Sequence, residues 1–211
     1  MADLSSKVAV VTGGSRGVGK GICEGLAEAG ATIYLTGRSQ SFDDLPAERT
    51  IQATARLVEE LGGKAIPVAV DHDDDDQVRA LFDRVASEQG RLDVLVNNVY
   101  KIPHPPAWGG GFWEHPISVW DDQCGVGLRG YYVASVLGAP LMVANRSGLI
   151  VNISSGGGDT YAFSASYGVC KAGVDRMAQD MAIELKAHRV AALSLRPGVV
   201  KTEFILDAVA S

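Results

Sequence analysis

The chain has 211 residues, 46% of them apolar, with 25 glycines and a formal charge of −6. A chain of this length can bury roughly 70% of its unfolded surface, enough for one domain with a full core, and no linker or repeat suggests a second. The acid excess argues against a nucleic-acid surface, which is normally basic, and Cys23, Cys124 and Cys170 lie without metal spacing, as reduced thiols of a cytoplasmic protein with no structural metal.

In chain order, residues 1–6 carry no basic and apolar leader. Short apolar runs predict strands at 8–11, 32–35, 65–70, 92–96, 149–153 and 190–195, alternating with helical segments. That alternation is the pattern of an α/β fold, a doubly wound parallel sheet with helices on both faces. Ligands of such sheets gather at the C-terminal ends of the strands. The first strand runs into Thr12-Gly13-Gly14-Ser15-Arg16-Gly17-Val18-Gly19. A glycine-rich turn there lets backbone approach a pyrophosphate, while free N–H groups at the helix start meet its charge. The predicted cofactor site therefore begins with Gly13, Ser15, Arg16, Gly17, Val18 and Gly19.

After the second strand stands Thr36-Gly37-Arg38, and no acid follows until Asp43. An acid at that place bonds the adenosine ribose hydroxyls, whereas a guanidinium receives a 2′-phosphate. Arg38 and Arg16 together favour NADP(H), with NAD(H) the alternative if both arginines are merely solvated. The loop 39–46 is expected to border the adenosine end, ahead of a helix from about residue 47. The acidic run Asp71-His72-Asp73-Asp74-Asp75-Asp76 lacks the ligand spacing of a calcium loop and fits a helix N-terminus. The fourth strand ends on Asn97 and Asn98, and the segment 101–116, with Trp108, Phe112 and Trp113, either shapes a substrate site or packs on the chain's own core. The apolar stretch 131–144 is interrupted by Gly138 and Pro140 and is too short to span a bilayer, so no membrane partner is expected.

The fifth strand leads into Ser154 and Ser155, and Tyr167 follows Ser155 by twelve residues, with Lys171 one helical turn on. A phenol is a poor base at neutral pH, and a neighbouring ammonium is expected to lower its pKa and make it a usable proton donor and acceptor. The sixth strand leads into Arg196-Pro197-Gly198-Val199 and Thr202.

The glycine turn, Asn97-Asn98, the serine–YxxxK pair and the Pro-Gly segment, in this order, resemble the short-chain dehydrogenase/reductase family across nearly the whole chain. Trp120-Asp121-Asp122 and the later run Val126-Gly127-Leu128-Arg129-Gly130 are similar to one subgroup of it. The resemblance implies a Rossmann-type domain that transfers hydride between a nicotinamide and the carbonyl or secondary alcohol of a small, fairly apolar molecule. A non-catalytic NAD(P)-binding sensor or scaffold of the same fold is the alternative. It also implies that Tyr167 exchanges the proton, Lys171 tunes it and holds ribose hydroxyls, and Ser155 orients the substrate oxygen. The family's usual serine-to-tyrosine gap is one residue longer and points to Ser154, so that choice stays open. Asp71 is expected at the adenine, Val199 and Thr202 over the nicotinamide carboxamide, and His72, Pro197 and Gly198 elsewhere along the cofactor, while Asn97 is expected to tie the fourth strand to its neighbours and flank the cofactor. Three departures stand out. Gly127 occupies the place of the family's helix asparagine, Val99 and Tyr100 replace a small pair, and the usual C-terminal lid and last strand are expected to be missing. A homodimer or homotetramer is the expected assembly.

Overall fold

The computed structural model describes residues 3–38 and 47–210. The loop 39–46 and Asp43 lie outside the described residues. Six strands, β1 (Val8–Val11), β2 (Thr32–Gly37), β3 (Lys64–Ala69), β4 (Val94–Asn97), β5 (Gly148–Ile153) and β6 (Val190–Leu195), form one parallel sheet in the order β3-β2-β1-β4-β5-β6. Its central strand β1 is buried throughout, the continuous apolar run that a parallel sheet covered on both faces requires. The order reverses between β1 and β4, which opens a crevice at their C-terminal ends.

Helices α1 (Gly17–Glu28) and α2 (Ile51–Glu60) cover one face, where Cys23, Ala27, Ile51 and Val58 pack on Ile33, Leu35 and Val96. Helices α3 (Asp75–Gln89), α4 (Ser118–Asn145) and α5 (Ala165–Leu185) cover the other, where Phe82, Met142 and Leu185 pack on Val10, Leu95 and Ile150. A short helix α6 (Glu203–Ala210) follows β6. Asp74 caps α3 by accepting from the Asp76 and Gln77 N–H groups, and Gly90 closes it at φ 65°. Asp75 pairs with Arg129 and Asp73 with Lys101, so Asp73, Asp74 and Asp75 of the acidic run serve capping and ion pairs.

Helix α4, by length and composition, is long and apolar enough to cross a membrane, with 28 residues and an 18-residue stretch of mean hydropathy 1.3. Here it is a core helix, with Tyr131, Ala134, Ser135, Gly138 and Met142 buried. Its segment Asp121–Arg129, which contains Gly127, winds as a π-helix, a wide turn often found at functional sites.

His72, just after β3, is 3% exposed, and its Nε2 meets Thr36 Oγ1 at 2.7 Å. Burial pushes its pKa down to about 4, with the Asp71 charge opposing. An unfolded histidine titrates near 6.5, so the unfolded chain binds this proton first as the pH falls. The stability that His72 contributes is therefore intact above about pH 6.5 and is lost as the pH drops to about 4, by roughly 3 kcal/mol over that interval. Urea unfolding at a series of pH values should show this loss in the native chain. In His72→Asn the loss should be smaller by about that amount, and an unchanged slope would refute a buried neutral imidazole.

Candidate active site

Three glycines of the β1–α1 turn have separate reasons to be glycine. Gly13 and Gly17 take φ of 70° and 57°, and a Cβ on Gly19 would stand 2.2 Å from the Gly13 carbonyl oxygen. Thr12 and Asn98 tie this turn to the end of β4. Thr12 Oγ1 accepts from the Asn98 and Val99 N–H groups, and Asn98 Nδ2 donates to the carbonyls of Thr12 and Gly13. The N–H of Gly17, at the start of α1, donates to a Glu203 carboxylate oxygen at 2.8 Å. The N-terminus of α1 thus already holds an anion, as the chemistry of a phosphate site requires.

Ser164 caps α5 by accepting from the Tyr167 N–H, which sets Tyr167 in the first turn and Lys171 one turn further on the same face. Tyr167 Oη donates to Ser155 Oγ at 2.9 Å, and Ser155 Oγ also accepts from the Gly157 N–H at 3.1 Å. With two bonds accepted, the Ser155 hydroxyl keeps its own proton free to offer. Ser154 is 3% exposed and donates to the Lys171 carbonyl, so of the two serines Ser155 faces the tyrosine. Lys171 is 5% exposed and its Nζ donates to the Ile153 carbonyl at 3.1 Å. Burial pushes its pKa down, against the opposing charges of Cys170 and Asp175. The Tyr167 phenol differs from expectation, because burial raises its pKa and outweighs the lowering by the Ser155 bond. The ammonium lies 5.9 Å from the centre of the Tyr167 ring and is aimed at Ile153, which explains why it does not dominate.

These groups open on a cleft of about 660 Å³ that runs from the glycine turn past Arg38 and Asp71 to Tyr167 and on to Pro197, Gly198, Val199 and Thr202. Of the predicted residues, Ser15, Arg16 and Val18 also line it, whereas Gly19 packs beneath the turn. Arg16 and Arg38 are exposed and have no ion-pair partner among the described residues. His72 borders the cleft with its ring turned inward to Thr36. Asn97 ties the fourth strand to its neighbours as expected, fully buried and donating to Asn152 Oδ1 and Ser135 Oγ, but it does not line the cleft. Its neighbour Asn98 is the one that reaches the cleft.

An aromatic wall stands beside Tyr167. The Phe163 ring meets it edge-on at 5.1 Å, and Trp108 packs on Phe163 at 6.0 Å and on Phe204 at 5.5 Å. Phe163 is one of three non-glycine residues at positive φ among those described, at 61°. For an apolar residue that conformation is strained. The segment 101–116 is divided, since Trp108 lines the cleft while Phe112 and Trp113 stack on each other in the open, 68% and 75% exposed. Glu203 and Phe163 carried no signal in the sequence that a spacing rule detects.

The model of the short chain dehydrogenase family matches residues 7–209. Dehydrogenase/reductase SDR family member 1 of Mus musculus is 46% identical over 213 residues, covering 100% of this chain, and the chain spans 66% of that relative's length. The (-)-trans-carveol dehydrogenase of Rhodococcus erythropolis is 33% identical over 97% of the chain and 75% of its own length. Among solved structures, a metagenomic short-chain oxidoreductase in complex with NADP is 35% identical and superposes with a TM-score of 0.80, covering 93% of this chain and 84% of the other.

Proposed function

The chain belongs to the short-chain dehydrogenase/reductase family, and on that premise we propose that it is an NADPH-dependent oxidoreductase of small, fairly apolar ketones, aldehydes or secondary alcohols. The observation that carries this reading is the Tyr167–Ser155 hydrogen bond of 2.9 Å, with Lys171 beneath it, at one end of a cleft whose other end holds two guanidinium groups without an ion-pair partner among the described residues. A pure binding protein has no use for a phenol aligned on a serine above a buried ammonium.

The residues present fit a dinucleotide phosphate. The glycine turn and the N–H of Gly17 would hold the pyrophosphate in place of the Glu203 carboxylate, and Arg16 and Arg38 would take the 2′-phosphate. Asp71 and the segment 197–202 would flank the two ends. When bound, the nicotinamide supplies or accepts the hydride. Ser155 offers its free proton to the substrate oxygen and fixes it beside Tyr167. Tyr167 gives its proton to that oxygen as it gains negative charge. Its raised pKa keeps it protonated through neutral pH, which suits it to the reducing direction. Lys171 sets the potential beneath the phenol. The rings of Trp108, Phe163 and Phe204 support an apolar substrate, since they leave few polar groups to bind a charged one. The relative named for carveol acts on an alcohol of that kind. Exposed apolar side chains on α4 and α5, among them Tyr132, Val136 and Ile183, support a homo-oligomer.

The direct test is titration with NADPH and with NADH by nicotinamide fluorescence, followed by a panel of apolar ketones and aldehydes. Tighter binding of NADPH and carbonyl-dependent oxidation of it are expected. Binding without oxidation by any carbonyl would favour a sensor and overturn the catalytic reading.

A further inference from the structure

Tyr100 and Gly127 form an arrangement to which the roles above assign nothing. Tyr100 lies beyond β4, and its ring enters the cleft wall next to Lys171. The Lys171 ammonium sits 4.9 Å from the centre of that ring, nearer than to Tyr131 or Tyr167, both at 5.9 Å. The same ring meets Tyr167 at 6.0 Å and 90°. Gly127, in the π segment of α4, is what admits it. A Cβ there would stand 2.7 Å from Tyr100 Cδ2 and 3.0 Å from Cε2, closer than real side chains approach. A side chain at 127 therefore forces the ring, or the helix segment that faces it, to shift.

The hydroxyl of Tyr100 does not explain its place. It is sealed from solvent beside Gln123 and makes no hydrogen bond of normal geometry. Burying a hydroxyl so poorly paired is costly, so the ring has to contribute something that offsets it. Lys171 supplies the reason. Among the described residues its buried ammonium has one hydrogen bond, to the Ile153 carbonyl. On its own helix it faces Tyr167, the Cys170 thiol and Asp175, whose carboxylate is already paired with Arg196 at 2.6 Å. Among the described residues, the neighbouring elements set against it the Ile153 carbonyl and the rings of Tyr100 and Tyr131. The negative face of an aromatic ring stabilises such a cation, and more strongly when water is excluded.

We propose that Tyr100 is a positioning residue whose ring face holds the charged Lys171 ammonium under Tyr167, and that residue 127 is glycine so that the ring can lie there. The proposal rests on the reading of Tyr167 and Lys171 as the proton-handling pair.

The test compares Tyr100→Phe, Tyr100→Leu, Gly127→Ala and the double variant Tyr100→Leu/Gly127→Ala. The first readout is the titration of Lys171 Nζ by 15N NMR in lysine-labelled protein without cofactor. The second is the pH at which kcat/KM for carbonyl reduction falls on the basic side. Tyr100→Phe should leave both unchanged. Tyr100→Leu should make Lys171 give up its proton about tenfold more readily, and the basic limb should move about one pH unit lower. Gly127→Ala should reproduce that effect, and the double variant should be no worse than Tyr100→Leu, because both changes remove one contact. If Tyr100→Leu does not fold, pentafluorophenylalanine at position 100 keeps the shape and reverses the ring's charge distribution, with the same shift expected. An unshifted Lys171 in Tyr100→Leu, or in the fluorinated chain, would overturn the proposal. So would a loss in Tyr100→Phe equal to that in Tyr100→Leu, which would assign the effect to the hydroxyl. Absence of turnover in the native chain would instead sink the catalytic reading, while the Lys171 titration would still decide this one.

Discussion

Tyr167→Phe should lower kcat/KM for carbonyl reduction by about 10³-fold, within the range that loss of a positioned acid costs, while the dissociation constant for NADPH changes less than about threefold. The substitution removes one hydroxyl and keeps the ring, so the edge contacts with Phe163 and Tyr100 remain. What is lost is the proton donor and the bond to Ser155. The loss should fall on kcat, because the proton moves to the oxygen only as charge develops in the transition state. The pH dependence supplies an independent check. The protonated phenol is the active form, and burial holds its pKa above the ordinary value of about 10, so reduction should be level from pH 6 to 9 and should fall only beyond. Turnover near the native rate in Tyr167→Phe would remove Tyr167 from its assigned role. Beyond pH 9 the limb belongs to whichever of the phenol and the Lys171 ammonium gives up its proton first, and in Tyr100→Leu that should be Lys171.

The parts of this site that were legible in the sequence are those written as local spacing. The glycine turn, YxxxK and the Pro-Gly segment each lie within one turn or one helical rise, and the parallel sheet follows from six apolar runs alternating with helices. The parts that spacing alone does not decide depend on tertiary register. Asn97 and Asn98 are adjacent, and the alternation of a strand sends one into the sheet and the other to the cleft. Which one goes where is set by the last residue of β4, and strand ends are poorly marked in a sequence. The choice between Ser154 and Ser155 has the same origin. The expected lowering of the Tyr167 pKa failed because spacing placed Lys171 near the phenol but not where its ammonium points. Tyr100 and Gly127 read as two separate departures, although in space each is the condition for the other.

Arg38→Asp should change the ratio of NADPH to NADH affinity by roughly 100-fold in favour of NADH, the size expected when a charge-assisted hydrogen bond of 1.5–3 kcal/mol is removed and replaced by repulsion. The guanidinium stands at the C-terminal end of β2, exposed and lining the cleft, with no ion-pair partner among the described residues. A solvated arginine with nothing to do and an arginine kept for a phosphate look alike in this respect, and the substitution separates them. A carboxylate at this position can accept from the ribose hydroxyls of NADH and repels a 2′-phosphate, so the two affinities should move in opposite directions. Arg16 lines the same end of the cleft, which predicts that Arg16→Ala weakens NADPH with little effect on NADH. The two guanidinium contributions should also depend on salt, because both groups are exposed and screened, so the preference for NADPH should shrink as ionic strength rises. An unchanged ratio of affinities in Arg38→Asp would leave the 2′-phosphate without its receptor, and NADH would then be the better reading of this cleft.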